Sequence, residues 1–257
     1  MKLEDHEIHL HYIRPDEVAD SDLLERYESL LTVDERRQMS RFYFQHHKKQ
    51  FLITRALIRS CLSLYHDVRP EDWVFGRNAY DKPHVAGPDR SNTVNFNISH
   101  ANGMIICGFI RKYDIGVDVE DSQRTTQAAL NRLSSYFSAD ETSTLKDLPE
   151  SAQKQRFFDL WTLKESYIKA RGGGLSIPLG KFSFEFTNDN LTGFNIDSDL
   201  TDDAGNWQFC QLSMPPAYRL AIATNIARPV LELCMFKSVP LMDPEPRPLP
   251  SLSRYPN

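Results

Sequence analysis

The sequence predicts an α+β protein, a pseudo-dimer of two similar α/β halves in which a small, mainly antiparallel sheet packs against a long helix. Three observations support this class. Short segments with alternating apolar and polar residues are typical of strands. Two long amphipathic segments are typical of helices. A short pattern also recurs, since Thr-Val-Asp-Glu at 32–35 resembles Ser-Ala-Asp-Glu at 138–141, and each precedes a long helical segment. Recurrence at a fixed offset favours two related halves.

In the first half, Thr32 is an N-cap candidate because acidic residues follow it in the first helical turn. The expected elements, in chain order, are a strand at 6–13, a short helix at 23–31, a basic amphipathic helix at 33–65 that is broken near His46, a strand and turn at 71–86, and paired strands at 94–99 and 104–111. We place this half at 1–112.

In the second half, Ser138 repeats the capping pattern, and the glycine run 172–174 is a strong signal for a helix end. The expected elements are a strand at 115–120, helices at 125–136 and 151–171, and strands of one antiparallel sheet at 181–186, 193–196, 207–213 and 218–224. We place this half at 113–235. The proline-rich segment 236–257 is expected to be an extended or disordered tail.

Composition excludes several classes of protein. The chain has 257 residues, is 40% hydrophobic and 25% charged, and carries a formal net charge of −5. An acidic balance gives no general drive toward nucleic acid or anionic membranes. The first residues lack the apolar core of a signal peptide, and the apolar run 104–110 is too short to span a bilayer. We therefore expect a cytoplasmic protein.

The four cysteines are scattered along the sequence in apolar contexts, without the spacing of a metal site. They are expected to be buried free thiols rather than parts of a disulfide or zinc site. The positions are Cys61, Cys107, Cys210 and Cys234.

The motif IGVDVED at 115–121 carries two acids on one strand face, because side chains two residues apart in a strand point the same way. Asp118 and Glu120 are commonly just exposed acids at a strand end. Here Gly116 permits close approach of another backbone segment, and a bound cation would relieve the repulsion between the two carboxylates. The motif therefore predicts metal ligands.

The second motif, WTLKESYIKA at 161–170, places Glu165 and Lys169 one helical turn apart. Such a pair is often a surface ion pair worth only about 0.3–0.5 kcal/mol. Trp161, Lys164 and Ile168 continue the same stripe, and a mixed apolar and charged stripe favours a helix at the border of a site. Three carboxylates beside two ammonium groups would suit a divalent cation and a phosphate ester.

Other polar residues have weaker signals. His100, after a strand, is either a structural residue or a phosphate donor or base. Lys82 is expected to be exposed in a turn. A basic stretch is either a solvated helix face or a seat for phosphates; it contains Arg41, His46, His47, Lys48, Lys49, Arg55 and Arg59.

Five segments together resemble the surfactin-synthetase-type 4′-phosphopantetheinyl transferases. They are YDKP at 80–83, FNISH at 96–100, IGVDVE at 115–120, YFSADE at 136–141 and WTLKESYIKARGGGLSIPL at 161–179. The resemblance covers about residues 5–235, and the last segment is the most specific.

The resemblance implies transfer of the phosphopantetheine arm of coenzyme A to a serine of an apo carrier protein, with Mg²⁺, or Mn²⁺ in its place. Asp118, Glu120 and Glu165 would be the metal ligands. The catalytic group would be Glu165, Lys169 and Glu141, with Glu165 the leading general base and Glu141 the second. Contacts with coenzyme A would come from Lys82, Ser99, His100, Lys164, Lys169, Lys48 and Arg55. Some relatives have a basic residue at the position of Gln45, which is neutral here.

The implied partners are carrier domains of fatty acid, polyketide or non-ribosomal peptide synthases, with no nucleic acid and no membrane, and the enzyme is expected to be a monomer. Two alternatives stay open at this stage. A divalent-metal phosphatase or nuclease also needs clustered acids and lysines, and a non-catalytic module would bind coenzyme A or a carrier without transfer.

Overall fold

The computed structural model describes residues 1–88, 94–123, 125–229 and 231–255, and the chain forms two compact units. Unit 1 comprises Met1–Asn78, Pro83–Lys112 and Glu232–Pro248. Unit 2 comprises Ala79–Lys82, Tyr113–Leu231 and Leu249–Asn257. Each unit contains a mainly antiparallel sheet and one helix of more than twenty residues, in agreement with the predicted α+β class. The predicted boundaries at 112 and 235 stay predictions.

Unit 1 contains a five-stranded sheet in the order β12-β11-β1-β5-β4. Its strands are β1 (Glu7–Ile13), β4 (Val94–Ala101), β5 (Met104–Arg111), β11 (Glu232–Lys237) and β12 (Glu245–Arg247). β1 runs parallel to β11 and antiparallel to β5, and the other neighbours are antiparallel. The sequence prediction missed β11.

The helices of unit 1 are α1 (Ser21–Ser29), α2 (Val33–Ser40) and α3 (Gln45–Tyr65). The predicted helix 33–65 is interrupted at 41–44, close to the expected break, and Thr32 forms a capping box with Glu35 at the start of α2. The apolar stripe of α3 is buried against β5; it includes Leu52, Ile53, Ala56 and Leu57. A small separate sheet pairs β2 (Val74–Arg77) with β3 (Pro83–Gly87).

The main sheet of unit 2 has the order β13-β9-β10-β6 and is antiparallel throughout. Its strands are β6 (Ile115–Asp121), β9 (Gln208–Met214), β10 (Tyr218–Thr224) and β13 (Ser251–Tyr255). The helices are α4 (Gln127–Ser134), α5 (Ala139–Asp147) and α6 (Glu150–Arg171). β7 (Phe182–Thr187) and β8 (Asn190–Ile196) form a hairpin sheet of their own, so the prediction that the last four strands share one sheet is wrong.

The proline-rich segment is extended, and part of it is paired. β12 adds to the sheet of unit 1, while β13 adds to the edge of the sheet of unit 2. Of the two expected alternatives, an extended tail agrees with these strands and a disordered one does not, because their backbone groups form ladder hydrogen bonds. Residues 256–257, which belonged to the predicted tail, lie outside the described residues.

Helix α6 is the central element of unit 2. It ends at Gly172, whose φ of 67° is left-handed and whose N–H donates to the Ile168 carbonyl at 2.9 Å. Tyr167 on the same helix donates to Asp202 at 2.7 Å, and its ring packs on Phe182 and Trp207. These contacts fix both the length and the rotation of the helix.

Gly116 lets β6 approach α6 closely. A β-carbon at this position would stand 1.9 Å from the Ser166 carbonyl oxygen and 2.4 Å from the Ala170 amide nitrogen. Non-bonded atoms cannot stand so close, so a side chain at this position would displace the backbone of a buried helix. The expectation that Gly116 serves close backbone approach is confirmed.

Helix α5 is attached to α6 by a buried ion pair. Glu141 Oε2 lies 2.7 Å from Lys164 Nζ, and both side chains are almost fully buried. The same oxygen accepts from the Ser138 backbone N–H and hydroxyl, while Oε1 accepts from the Phe184 N–H at 2.9 Å. Lys164 also donates to the carbonyls of Leu179 and Phe182. Both charged groups therefore have a full set of partners.

None of the helices in the described ranges has the length and apolarity needed to cross a membrane.

Replacement Gly116→Ala is expected to lower the free energy of unfolding by about 1–3 kcal/mol or more, because the methyl group overlaps the α6 backbone. Urea denaturation of the full chain measures it. Gly87→Ala is the matched control, since an added β-carbon there meets nothing within 4 Å. Equal stability of the two variants would contradict the close-packing argument.

Replacement Lys164→Met is expected to destabilise the chain by about 3–5 kcal/mol, because it leaves the buried Glu141 carboxylate without its counter-charge. Adding Glu141→Gln should recover part of that loss, and a double-mutant cycle on denaturation curves gives the coupling. Additive effects of the two substitutions would show that the ion pair does not couple α5 to α6.

Candidate functional site

The acidic residues of the first motif lie on the face of β6 that meets α6. Asp118 and Glu120 alternate with Val117 and Val119, which are buried, and Gly116 begins the same face. Because Gly116 touches the α6 backbone, the two carboxylates continue along the line where the helix and strand meet. Asp118 is only 4% exposed and Glu120 is half-buried.

Lys169 bridges from α6 to this strand. Its Nζ lies 2.7 Å from Asp118 Oδ1 and 3.2 Å from the Val117 carbonyl oxygen. The Lys169 side chain is 28% exposed. The Lys169 ammonium group thus lies beside Asp118, the most buried of the three predicted metal ligands.

Trp161 holds the second carboxylate. Its indole N–H donates to Glu120 Oε1 at 3.1 Å, and the ring stacks on Phe157 with centroids 5.9 Å apart. Trp161 was predicted to lie on the functional stripe, but its donor role toward Glu120 was not predicted. The available signal was its position one helical turn before Glu165.

The electrostatics show that three acids share this region. Burial, together with the charges of Asp118 and Glu165, raises the pKa of Glu120 to about 7, against the opposing effects of the Trp161 hydrogen bond and the Lys169 charge. Burial also raises the pKa of Glu165, with a further increase from Asp118, while Lys169 lowers it. Carboxylates that repel one another where they are partly buried are suitable ligands for a hard cation, which would relieve the repulsion.

The donor set therefore fits Mg²⁺ in chemistry: all oxygen, three carboxylates, and room for water on the exposed side. In the part of the chain that the structure describes, the three acids do not form a group with one oxygen from each within 4.8 Å of the others. Asp118, Glu120 and Glu165 are thus neighbours rather than a closed cage, as is usual for Mg²⁺, which retains several waters.

Lys82 differs from the sequence expectation. It is half-buried rather than exposed, and its Nζ donates to the Ala170 carbonyl at 2.7 Å and the Ile115 carbonyl at 3.3 Å. Burial lowers its pKa, and Asp114 partly opposes that shift. The ammonium group is thus held between the end of α6 and the start of β6, within unit 2.

Lys164 and Glu141 are withdrawn from solvent. Burial lowers the pKa of Lys164 to about 8 against the opposing effect of Glu141. With all donors used and a side chain that has no exposure, the Lys164 ammonium group has no free direction toward a ligand. This geometry counts against the expected coenzyme A contact by Lys164 and against Glu141 as a base, and supports a structural role for both.

The remaining predicted residues lie in unit 1. Ser99 is buried and His100 exposed, both on β4, which continues two residues beyond the predicted strand end at 99. Lys48 is half-buried in the first turn of α3. Gln45 is exposed at the start of that helix.

Arg55 lines a cavity of about 380 Å³ in unit 1, together with Arg59 and Arg77. Arg59 Nη2 lies 2.8 Å from Glu35 Oε2, and Arg55 Nε lies 3.5 Å from the other Glu35 oxygen. Arg59 is 1% exposed, so it is not part of a solvated basic face as one sequence interpretation held. Burial lowers the pKa of Arg55 and Arg59, and Glu35 opposes the shift.

Comparison with known proteins covers both units. Residues 114–223 match the family described as "4'-phosphopantetheinyl transferase superfamily", and residues 19–108 match "4'-phosphopantetheinyl transferase, N-terminal". The 4'-phosphopantetheinyl transferase Sfp of Bacillus subtilis (strain 168) is 31% identical over 77% of this chain and 84% of its own length. The transferase ffp of Bacillus subtilis is 30% identical over 80% and 86%.

A third relative is the 4'-phosphopantetheinyl transferase HetI of Nostoc sp. (strain PCC 7120), 31% identical over 66% of this chain and 70% of its own length. A crystal structure of Thermotoga maritima holo-[acyl-carrier-protein] synthase aligns with 45% of this chain and 64% of its own chain, at 18% identity and a TM-score of 0.35. The two matched segments include β6, α6 and the acids they bring together, and on this evidence the chain belongs to the 4′-phosphopantetheinyl transferase superfamily.

Proposed function

We propose that this chain transfers the phosphopantetheine arm of coenzyme A to a serine of an apo acyl or peptidyl carrier protein domain, in a reaction that uses Mg²⁺. The observation that carries the proposal is the grouping of Asp118, Glu120 and Glu165 with Lys169 on β6 and α6, inside the segment that matches the superfamily.

In the proposed reaction the serine oxygen attacks the phosphorus that carries the pantetheine arm. A new P–O bond forms, the bond to the bridging pyrophosphate oxygen breaks, and adenosine 3′,5′-bisphosphate leaves. The serine proton passes to a general base. Charge develops on the phosphoryl oxygens and the leaving group, so fixed positive charge nearby lowers the barrier.

Asp118, Glu120 and Glu165 would hold Mg²⁺, or Mn²⁺ in its place, and the metal would neutralise charge on the two phosphates. Trp161 orients Glu120 through its indole N–H, and Lys169 fixes Asp118. We also propose a contact between the Lys169 ammonium group and a phosphate oxygen, because the Lys169 side chain is partly exposed.

We propose Glu165 as the general base, directly or through water, in preference to Glu141. A base needs an oxygen that is free to accept the hydroxyl proton. Glu141 is 4% exposed and engages both oxygens in the α5 cap, the Phe184 N–H and Lys164. Glu165 is half-buried on the helix face beside Asp118.

Contacts with coenzyme A phosphates are proposed for Lys82, Ser99, His100 and Arg55, with Lys48 as a further cation. Arg55 has specific support, since it lines a cavity together with Arg59 and Arg77, and Glu35 lies beside both Arg55 and Arg59. Guanidinium groups bind phosphate through paired N–H donors. An alanine variant of each residue tests its contact, because loss of the contact should raise the Michaelis constant for coenzyme A.

The proposed partners are carrier domains of fatty acid, polyketide or non-ribosomal peptide synthases, and we propose that the chain acts as a monomer. Carrier domains are expected to be acidic around the target serine. Arg36, Arg37 and Arg41 are exposed along and just after α2 and are suited to receive such a surface.

Intact-mass spectrometry of an apo carrier protein tests transfer and metal dependence together. With enzyme, coenzyme A and Mg²⁺, the carrier should gain about 340 Da, the mass of one phosphopantetheine arm. EDTA and the variant Glu120→Gln should each abolish the gain, and Glu150→Gln, an exposed acid on α6, should not. Breakdown of coenzyme A without a mass gain of the carrier would favour a hydrolase. Binding of coenzyme A with neither breakdown nor mass gain would favour a binding module.

The two candidate bases are separated by turnover. Glu165→Gln is expected to lower kcat by about 10²–10⁴-fold, the usual contribution of general acid–base catalysis. Glu141→Gln should alter kcat little at temperatures where the chain stays folded, while lowering its melting temperature. Near-normal turnover of Glu165→Gln, measured with saturating coenzyme A and carrier, would exclude it as the base.

A further inference from the structure

A second group of metal-type ligands lies in unit 1, on strands that the transferase residues above do not use. A carboxylate oxygen of Glu7, a ring nitrogen of His9 and the sulfur of Cys234 all lie within 4.8 Å of one another. Across the described residues this is the single group of three or more His, Cys, Asp or Glu side chains that meets this distance. The strand pairing and the hydrogen bonds around these three side chains explain why they lie together.

Strand geometry brings the three residues to one place. Glu7 and His9 are two residues apart on β1 and therefore share a face. His9 pairs in register with Cys234 on β11, which runs parallel to β1. The two strands are far apart in sequence, so the spacing of the cysteines did not reveal the group. Cys234 is half-buried, unlike the other three cysteines, which are buried as predicted.

The separations suit a four-coordinate ion better than a hydrogen bond. His9 Nε2 lies 3.5 Å from Glu7 Oε2, which is long for an N–H···O hydrogen bond. Two ligand atoms about 2.1 Å from a tetrahedral Zn²⁺ stand about 3.4 Å apart. Closing the remaining distances requires movements of at most about 1 Å in Glu7 and Cys234, the two half-buried ligands.

The surroundings orient the ligands. His9 is only 4% exposed, and its Nδ1 lies 2.9 Å from the Tyr65 hydroxyl. Glu7 Oε2 accepts from the Glu4 backbone N–H at 2.9 Å. Outer partners of this kind fix the tautomer and direction of metal ligands.

The hydrogen-bond chain through Tyr65 includes an arrangement that leaves His9 Nε2 free to bind a metal. In it, His9 Nδ1–H donates to the Tyr65 hydroxyl, which donates to His11 Nε2 at 2.7 Å, and His11 Nδ1–H donates to the Ser238 hydroxyl at 2.8 Å. The reverse direction puts the proton on His9 Nε2.

We propose that Glu7, His9 and Cys234 form a binding site for Zn²⁺ or a similar borderline divalent ion, with water at the fourth position. A mixed thiolate, imidazole and carboxylate set suits Zn²⁺ and is unsuited to Mg²⁺, which prefers oxygen alone. The partly exposed side chains of Glu7 and Cys234 provide the route of entry.

The ion would join the first strand of unit 1 to a strand more than two hundred residues later. Metal links that close long loops stabilise by removing conformational freedom from the unfolded chain. Coordination requires the Cys234 sulfur as a thiolate, the form that a bound dication stabilises.

Titration of the chelator-stripped full chain with Co²⁺ and Zn²⁺ tests the site, with Mg²⁺ in excess to saturate the acids of unit 2. We expect one Co²⁺ per chain with a near-ultraviolet sulfur-to-cobalt charge-transfer band, displacement by Zn²⁺, and a higher melting temperature with Zn²⁺. Cobalt bound only to carboxylates gives no such band.

Cys234→Ser should remove the band and weaken Zn²⁺ binding at least tenfold, and Glu7→Gln is a second ligand variant in case the first folds poorly. Tyr65→Phe should keep the band and weaken binding about 10–100-fold, the usual effect of losing an outer partner. Glu25→Gln, at an exposed acid on α1 of the same unit, is the matched control and should bind as the wild-type chain does. Absence of the band in the wild-type chain, or equal Zn²⁺ binding by Cys234→Ser, would overturn the proposal.

Discussion

The structure of unit 2 depends on how closely one strand and one helix approach each other. Gly116 has no side chain, and a β-carbon in its place would occupy the space of the Ser166 carbonyl and the Ala170 amide. The close contact also determines where side chains further along β6 and α6 meet. Asp118 lies two residues beyond Gly116 on the same strand face, and Lys169 precedes Ala170 on the helix. The Lys169 ammonium nitrogen therefore lies 2.7 Å from a carboxylate oxygen of Asp118. A wider separation would leave Asp118 buried without its counter-charge.

Much of this arrangement could be predicted because it is local. The alternation in IGVDVED, the capping residues Thr32 and Ser138 and the helix end at Gly172 each depend on a few neighbouring residues, and all are as expected. Family motifs in sequence order added the class of function. The functional roles of individual site residues stay predictions.

What sequence reasoning missed depends on partners distant in the chain. The ladder between β1 and β11 joins residues at opposite ends of the sequence, and no local pattern in 232–237 indicated it. The strands near the end of unit 2 were recognised, but their distribution between two sheets is decided by pairing rather than propensity. The polar turn around Lys82 predicts an exposed side chain, yet its ammonium group donates to the carbonyl oxygens of Ile115 and Ala170.

The two lysines of the α6 motif show why composition alone does not assign roles. Lys164 and Lys169 are five residues apart, which turns their side chains about 140° from each other around a helix. One direction leads to the Glu141 carboxylate among Phe182 and Phe137. The other leads to Asp118 at a partly exposed edge. A charge that is fully enclosed and fully paired can only hold elements together, whereas one that is paired on one side and exposed on the other can also act on a ligand. The same residue type therefore serves structure at one position and is suited to chemistry at the next turn.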